Sequence, residues 1–227
     1  TVDANTTTKQ VGDEAVMMFQ KVMSPIVVDP DRVRGARYLI KEHGVNVILC
    51  DDGLQHYRLD RDVEIVVVDG ERRFGNGFCL PAGPLRESTL RLKSVDFVVC
   101  NGSPHPGEAQ MILQPLDLVN LNTKEVISLE SIKGSSVHAV CGIGNPNRFF
   151  DTLKRLHVKI APHPFADHHD FSEKDFNLPG KAPIVMTEKD AVKCESFATS
   201  RMWTLRIKPM VSADFLEALK KKIEAAV

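Results

Sequence analysis

The 227-residue sequence lacks the features of several specialised classes of protein. Its longest apolar runs, such as residues 45–50 and 65–68, are of strand length, far below the roughly 20 residues that a bilayer-spanning helix needs. It has no recognisable signal peptide, no repeat of fixed period and no low-complexity tract. The 29 Lys and Arg residues almost balance the 30 Asp and Glu residues, so no overall positive charge attracts nucleic acid. We therefore expect neither a membrane span, nor a solenoid, nor a nucleic-acid partner.

Paired cysteine motifs are also missing. The five cysteines are odd in number and never occur at C-x-x-C spacing: Cys50, Cys79, Cys100, Cys141 and Cys194. This argues against a disulfide framework and against a structural zinc site, and it favours a reducing compartment such as the cytosol. With 43% hydrophobic and 26% charged residues, the chain can bury a core as one or two globular domains.

Blocks rich in β-branched residues alternate with helical stretches in the first half of the chain. The blocks at residues 25–29, 45–52, 63–69 and 95–102 are continuously hydrophobic and end in Asp, Asn or Gly. Such blocks are typical of strands buried on both faces of a parallel sheet. Residues 31–44 carry apolar side chains at helical spacing and end at Gly44, which predicts a helix and hence a βαβ unit.

The second half begins with a change of pattern. Residues 112–121 and 125–134 alternate around a polar turn, which predicts a β-hairpin. Strands are then expected near residues 137–144, 157–161, 184–187 and 203–207, with helices at about 147–156 and from Ser212 onward. We predict an α/β protein with a first lobe at residues 1–111, a two-stranded connector at 112–135 and a C-terminal α/β lobe at 136–227.

Two acidic residues follow the apolar block that ends at Cys50. Asp51 and Asp52 would emerge at the carboxyl end of a parallel strand, where ligand sites of open α/β sheets lie. Adjacent carboxylates there can hold Mg²⁺, whereas the alternative is that one of them caps the following turn. Gln55 and His56, close by in the sequence, favour a site.

A second acidic pair, Asp13 and Glu14, follows Gly12 in the segment VGDEA. Acidic residues at the start of a helix often act as caps or complement the helix dipole. The functional alternative is a general base or a carboxylate near a metal ion.

The segment HPFADHHDF concentrates five titratable side chains in eight residues: His163, Asp167, His168, His169 and Asp170. A metal site or acid–base chemistry would use such a cluster, and a solvated loop is the alternative. Three of these residues, Asp167, His168 and His169, could also act together with Asp51 and Asp52. They would then form the site of a metal-dependent phosphohydrolase.

Two further segments carry charge at predicted loops. RRFGNGFCLPAGPLRE, at residues 72–87, combines Gly and Pro pivots with arginines that suit phosphate groups; a rigid connection would explain the pivots but not the arginines. TEKDAVK, at residues 187–193, follows a predicted strand and is consistent with a helix cap carrying solvated charges.

Taken together, the motifs VGDEA, CDDGLQHYRLDRDVEIVVVDGERRFGNGFCLPAGPLRE, AVCGIGNPNRFF, HPFADHHDF and MTEKDAVKC resemble those of the tetraacyldisaccharide 4'-kinase family, from about Val11 to the C-terminus. The resemblance implies a P-loop-kinase-like parallel-sheet lobe joined by a β-hairpin connector to a smaller α/β lobe. It also implies transfer of the ATP γ-phosphoryl group to the 4'-hydroxyl of a tetraacylated glucosamine disaccharide 1-phosphate in lipid A biosynthesis. The resemblance implies that this reaction takes place at the cytoplasmic face of the bacterial inner membrane.

The resemblance further implies roles for individual residues. Asp13 would be the catalytic base and His168 its partner, as a dyad drawn from both lobes. ATP and Mg²⁺ would be the cofactors. The implied metal-binding residues are Asp51, Asp52 and Glu14, and the implied substrate-binding residues are Arg32, His56, Asn76 and Arg86.

The sequence departs from the family pattern in one major respect. It contains no G-x-x-x-x-G-K-[ST] loop, since GIGNP at residues 142–146 lacks the lysine, so no residue is assigned to ATP-phosphate binding. A smaller departure is Ala15, where the family usually has Pro. We expect an N-terminally incomplete kinase whose phosphate loop and membrane-contacting segment would precede Thr1. The chain itself is expected to be a soluble monomer, and a non-catalytic module that binds the lipid disaccharide is the alternative.

Overall fold

The computed structural model describes residues 1–226. Its α-helices are α1 (Thr8–Val11), α2 (Asp13–Lys21), α3 (Arg32–His43), α4 (Pro146–Arg155), α5 (Glu188–Cys194) and α6 (Ala213–Glu224). Its β-strands are β1 (Ile65–Asp69), β2 (Phe97–Asn101), β3 (Ala109–Asn120), β4 (Val126–Ser128), β5 (Ser136–Cys141), β6 (Lys159–Pro164), β7 (Ile184–Thr187) and β8 (Met202–Val211). The elements form a mixed α/β fold with mostly parallel strand pairs, which confirms the predicted fold class.

The chain divides into two compact units, and each unit combines two segments that are separate in the sequence. Unit 1 contains residues 1–28 and 115–208, and unit 2 contains residues 29–114 and the chain from Pro209 onward. This differs from the predicted division at residues 111 and 136. The physical reason is non-local packing. Helix α2 packs against α5 in unit 1, and Phe215 of α6 packs edge-on against Phe97 in unit 2, with ring centroids 5.4 Å apart.

Unit 1 is built on four parallel strands in the order β8-β7-β5-β6. Their side chains and the apolar face of α4 form a continuous core, in which Phe149, Phe150 and Leu153 of α4 pack against the β5 strand. The predicted strands and helix of this half are confirmed, with boundaries shifted by a few residues. The predicted final helix also forms as α6 in unit 2, where Ser212 Oγ caps it by accepting from Phe215 N at 3.2 Å.

The predicted hairpin is present as strands β3 and β4, but its second strand is shorter than predicted, because Leu129–Ile132 form a 3-10 helix. The two strands pair antiparallel, with Asp117 opposite Ser128 and Val119 opposite Val126. The buried Asn120 shapes the turn, because its Oδ1 accepts from Asn122 N at 3.0 Å and from Thr123 N at 2.9 Å. The role of this hairpin as a connector between lobes stays a prediction.

Unit 2 contains the predicted helix and two of the predicted parallel strands. In α3, the Asp31 side chain caps the helix by accepting from Val33 N and Arg34 N, and Gly44 ends it in the left-handed conformation at φ 62°. Strands β1 and β2 pair in parallel, with Ile65 opposite Phe97. The first residues of β3 continue this sheet in parallel with β2.

The predictions of strands at residues 25–29 and 45–52 are wrong. Among the described residues neither segment pairs with a strand, and a strand requires a neighbour to accept and donate its backbone hydrogen bonds. The second segment is also open to solvent, since Leu49 is 88% exposed and Val47 is 43% exposed. The β-branched composition of residues 45–50 therefore indicates what the segment could form, not what it forms here.

No described helix combines the length and the apolar character needed to cross a bilayer.

His163, the first residue of HPFADHHDF, pairs with His138 in the sheet of unit 1. His138 Nδ1 of β5 is 3.0 Å from His163 Nε2 of β6, and His138 Nε2 is 3.0 Å from the carbonyl oxygen of Pro179. Because a carbonyl only accepts, His138 Nε2 carries a proton, and His163 Nε2–H then donates to His138 Nδ1. Burial and the neighbouring His138 hold the pKa of His163 below its ordinary value of 6.5.

This depressed pKa predicts an acid-sensitive contribution to stability. The unfolded chain protonates His163 more readily than the folded chain, so the free energy of unfolding should fall as the pH drops below about 6.5 and level off below the folded pKa. The variant His163→Gln should show a smaller loss of stability between pH 7 and 5 in urea unfolding. The exposed His157→Gln is the matched control, and it should retain the wild-type pH dependence. An unchanged pH dependence in His163→Gln would contradict this account.

Candidate active site

Asp13 is placed by the turn that starts α2. Gly12 has φ 90° with no atom near the position of a Cβ, so glycine is needed there for its backbone conformation and not for space. Asp13 follows as the first residue of the helix and is only 8% exposed. Its Oδ1 accepts from Glu14 N at 3.0 Å, which fixes the carboxylate at the helix N-terminus.

His168 approaches Asp13 from the loop after β6. Its backbone has φ 58°, an uncommon conformation for a residue other than glycine, and its N–H donates to Asp167 Oδ1 at 3.1 Å. The imidazole is 61% exposed, and its Nδ1 lies 3.3 Å from Asp13 Oδ2. The structure therefore brings together the two residues of the predicted dyad. Both residues belong to unit 1, and the expectation that the dyad is drawn from two lobes stays a prediction.

Helix α5 supplies two lysines to the same place. Thr187 caps this helix, its Oγ1 accepting from Asp190 N at 3.2 Å, and Lys189 and Lys193 follow four residues apart on one face. Lys189 Nζ is 3.2 Å from Glu14 Oε1 and 3.3 Å from His168 Nε2. Glu14, predicted as a metal ligand, thus faces an ammonium group.

Lys193 is paired with a fully buried carboxylate. Asp190 has no exposed surface; its Oδ2 accepts from Gly142 N at 3.0 Å and from Thr187 Oγ1 at 2.7 Å. Its Oδ1 lies 3.0 Å from Lys193 Nζ, and the same Nζ lies 3.5 Å from Asp13 Oδ2. The dyad is therefore bordered by a continuous series of charged contacts.

These contacts set the charge state of the site. Burial alone would raise the pKa of Asp13, but the charges of Lys189 and Lys193 outweigh it and hold the pKa below its ordinary value of 3.8. Burial likewise opposes the charge of Lys189, yet the neighbouring carboxylates of Glu14, Asp13 and Asp167 raise its pKa. Asp13 is a carboxylate at neutral pH and can accept a proton.

The contacts of the imidazole select one tautomer. An ammonium can only donate, so His168 Nε2 accepts from Lys189, and Nδ1 carries the proton that points at Asp13 Oδ2. His168 in this form donates to Asp13 and orients it.

The sequence analysis missed the part that α5 plays in this site. Thr187 is a helix cap as expected, but the charges that follow are not all solvated: Asp190 is buried and Lys193 nearly so. The available signal was the i, i+4 spacing of the two lysines after an acidic residue at a strand end.

The other histidines of HPFADHHDF do not join the dyad. His163 contacts His138, and His169 packs between the rings of Phe165 and Phe171 at 4.6 and 4.8 Å, with Nε2 3.5 Å from Asp175 Oδ2. Within residues 1–226 no three His, Cys, Asp or Glu side chains are grouped so that they could hold a metal ion. The metal-dependent phosphohydrolase stays a prediction.

Several of the predicted metal- and substrate-binding residues line one groove of unit 2, with a volume of about 970 Å³: Asp51, Asp52, His56 and Arg86. Arg86 Nη1 is 2.8 Å from both carboxylate oxygens of Asp52 and 3.2 Å from Gln55 Oε1. Arg32 and His56 line a smaller cavity of about 240 Å³. An anionic ligand in the groove would meet the Arg86 guanidinium, provided that Asp52 found another cation.

Asn76 is engaged within its own loop. Its Nδ2 donates to Ala82 O at 2.9 Å and its Oδ1 accepts from Phe78 N at 3.2 Å. A Cβ at Gly83 would lie 2.2 Å from Asn76 Oδ1, so only glycine allows this close approach. The side chain shapes the loop at residues 72–87, and its predicted contact with substrate stays a prediction.

A comparison with family models gives a match over residues 1–224, to the family described as Tetraacyldisaccharide-1-P 4'-kinase. The chain belongs to this family.

Individual members of the 4'-kinase family resemble the chain over most of its length. The tetraacyldisaccharide 4'-kinase of Legionella pneumophila (strain Lens) is 48% identical over 217 residues, covering 96% of this chain and 67% of the relative. That of Pseudoalteromonas atlantica is 49% identical, covering 98% of this chain and 72% of the relative. The crystal structure of LpxK from Aquifex aeolicus, determined in complex with ATP, is 26% identical with a TM-score of 0.79, covering 97% of this chain and 70% of that one. The chain thus spans about two thirds of the length of the curated 4'-kinases.

Membership of the 4'-kinase family confirms two predictions from the sequence: the family resemblance and the enzyme class, a kinase. The likeness to the Aquifex aeolicus structure supports the α/β fold independently.

The acidic residues of unit 2 suit Mg²⁺ only as part of a complex with a nucleotide. Asp51 and Asp52 are adjacent carboxylates, but no third ligand completes a site among residues 1–226. Mg²⁺ commonly binds through one or two carboxylates together with waters and substrate phosphates. The pair therefore suits a magnesium–nucleotide complex and does not suit a metal ion held by protein alone.

The buried Asp190 predicts a large effect on stability. Asp190→Ala would leave Gly142 N–H, the Thr187 hydroxyl and the Lys193 ammonium without their acceptor, and breaking such a buried pair costs about 3–5 kcal/mol. Urea unfolding should show this loss. Asp170→Ala, at an exposed carboxylate 3.9 Å from Lys9, is the control and should leave the unfolding midpoint unchanged. Equal midpoints for the two variants would contradict this role of Asp190.

Proposed function

We propose that this chain performs proton removal and substrate binding in an ATP-dependent kinase that phosphorylates the 4'-hydroxyl of tetraacyldisaccharide 1-phosphate, a step of lipid A biosynthesis. The observation that carries the proposal is the contact between Asp13 and His168, 3.3 Å apart and bordered by two lysines, in a chain of the 4'-kinase family. The relatives named tetraacyldisaccharide 4'-kinase supply the substrate class.

In the proposed reaction Asp13 accepts the proton of the sugar hydroxyl. Its Oδ2 contacts His168 and Lys193, while Oδ1 receives Glu14 N–H and keeps a further lone pair for the hydroxyl proton. A carboxylate is a weak base, so Asp13 contributes mainly through its position. Phosphoryl transfer makes this sufficient, because its loose transition state demands positioning and charge neutralisation more than a strong base.

Unit 2 is proposed to bind the phosphates. Arg86 and Arg32 would contact phosphate oxygens, and Asp51 and Asp52 would hold Mg²⁺ together with the nucleotide. Mg²⁺, when bound, neutralises charge on the phosphate oxygens of ATP. The ATP complex of Aquifex aeolicus LpxK supports ATP as the phosphoryl donor.

The acceptor and its location are part of the same proposal. The acylated glucosamine disaccharide 1-phosphate is a membrane lipid, so we place the enzyme peripherally at the cytoplasmic face of the inner membrane, acting as a monomer. His56 of the groove and Asn76 of the loop at residues 72–87 are proposed to contact the disaccharide.

The dyad is tested by Asp13→Ala and His168→Ala in an enzyme of full family length that contains this chain. Both changes should reduce ATP-dependent 4'-phosphorylation by about 100-fold or more, since general acid–base groups commonly contribute 10²–10⁴-fold. Asp170→Ala, in the same HHD motif but exposed, should keep wild-type activity. Circular dichroism checks that each variant is folded. Activity close to wild type in a folded Asp13→Ala enzyme would refute the role of the base.

Measuring nucleotide binding tests whether the chain contains a complete ATP site. Because the sequence has no G-x-x-x-x-G-K-[ST] loop, we expect isothermal titration calorimetry to detect no micromolar binding of magnesium–ATP to the 227-residue chain. Micromolar affinity would show that another loop replaces this motif.

A further inference from the structure

Lys193 contacts both Asp13 and the loop that carries His168. Its Nζ lies 3.5 Å from Asp13 Oδ2, and it donates to the carbonyl oxygen of His169 at 3.2 Å. His169 follows His168 directly, so this hydrogen bond holds the loop that presents the imidazole. One ammonium group thereby links α2 to the loop after β6.

Groups in the protein interior fix the position of the Lys193 ammonium. The Lys193 side chain is 8% exposed, and its Nζ lies 5.2 Å from the centre of the Phe171 ring. Asp190 Oδ1, at 3.0 Å, is closer to the ammonium than Asp13 is, and Asp190 is itself held by Gly142 N–H and the Thr187 hydroxyl. A buried ammonium is stable only where carboxylates pair with it, so Lys193 has little freedom to leave this place.

We propose that Lys193 is a positioning residue of the dyad. It holds Asp13 Oδ2 where it accepts from His168 Nδ1 and holds His168 through the backbone of His169, with Asp190 as its anchor. The inference rests on the proposed function of Asp13 and His168, since it concerns how they are arranged.

Lys189 differs from Lys193 in what it contacts. Lys189 meets the exposed sides of the dyad region, Glu14 Oε1 and His168 Nε2, whereas Lys193 meets Asp13 from the protein interior. The charged and titratable groups around Asp13 are thus its helix neighbour and those of α5 and the loop: Glu14, Lys189, Lys193, Asp190, Asp167 and His168. Among these, Lys193 contacts both Asp13 and the backbone beside His168.

The ring nitrogens of His168 report this arrangement directly. The Nδ1–H tautomer depends on two contacts of the ring, Asp13 Oδ2 at Nδ1 and Lys189 at Nε2. Lys193 holds Asp13 and the loop of His168 together, so without its charge the imidazole loses this geometry at both nitrogens. We therefore expect ¹⁵N NMR of the 227-residue chain to show the Nδ1–H tautomer as the main neutral form of His168. In Lys193→Met that tautomer should fall to a minor form.

Two variants control this experiment, and a third replaces Lys193→Met if that variant does not fold. Lys193→Arg keeps the charge and should retain the wild-type tautomer, and the exposed Lys159→Met should leave it unchanged. Lys193→Gln, which keeps a donor for His169 O, replaces Lys193→Met if the latter does not fold, and it should show the same loss of the Nδ1–H tautomer. A folded Lys193→Met or Lys193→Gln chain with the wild-type tautomer would overturn the proposal.

Kinetics of the full-length enzyme give a second readout. Lys193→Met should lower kcat by about 10–100-fold, as expected for a displaced reactive group, with little change in KM for ATP. Lys193→Arg should restore most of kcat. If KM rose and kcat did not fall, Lys193 would act in binding and the proposal would be wrong. If the wild-type enzyme showed no 4'-phosphorylation, the proposed function would fail, while the NMR result would still decide the positioning role.

Discussion

The burial of one carboxylate, that of Asp190, is the constraint on which the architecture of unit 1 depends. A charge without solvent must be matched, and here a backbone N–H, a hydroxyl and an ammonium all converge on it. Those partners come from the loop after β5, from the end of β7 and from α5. The arrangement fixes α5, and through Lys193 it extends to Asp13 on α2. The exposed imidazole of His168 thus belongs to a network that begins in the protein interior.

Local sequence signals predicted the elements whose causes are local. Helix α3 was predicted with its terminal Gly44, because a C-terminal glycine acts within one turn of the helix. Strand β7 was predicted with its boundaries at residues 184–187. The block at residues 45–52 failed because a strand also requires a partner, which composition does not reveal. The two units differ from the predicted lobes for a related reason, since packing of α2 on α5 joins residues distant in sequence.

The candidate site shows the same division. Asp13 and His168 were assigned from the resemblance to the 4'-kinase family, and the structure places them 3.3 Å apart. Asp190 and Lys193 were assigned to a solvated helix because charged residues after a cap are usually exposed. Which face of α5 turns inward depends on α2, which is about 175 residues earlier in the chain. A pattern within α5 alone does not contain that information.

The open segment at residues 45–50 has a consequence for handling the protein in solution. It combines β-branched and leucine side chains with no strand partner among residues 1–226, and Leu49 is almost fully open to solvent. Apolar segments of high strand propensity with free backbone groups are templates for intermolecular pairing. The 227-residue chain should therefore self-associate as its concentration rises, and mild detergent or low protein concentration should suppress this.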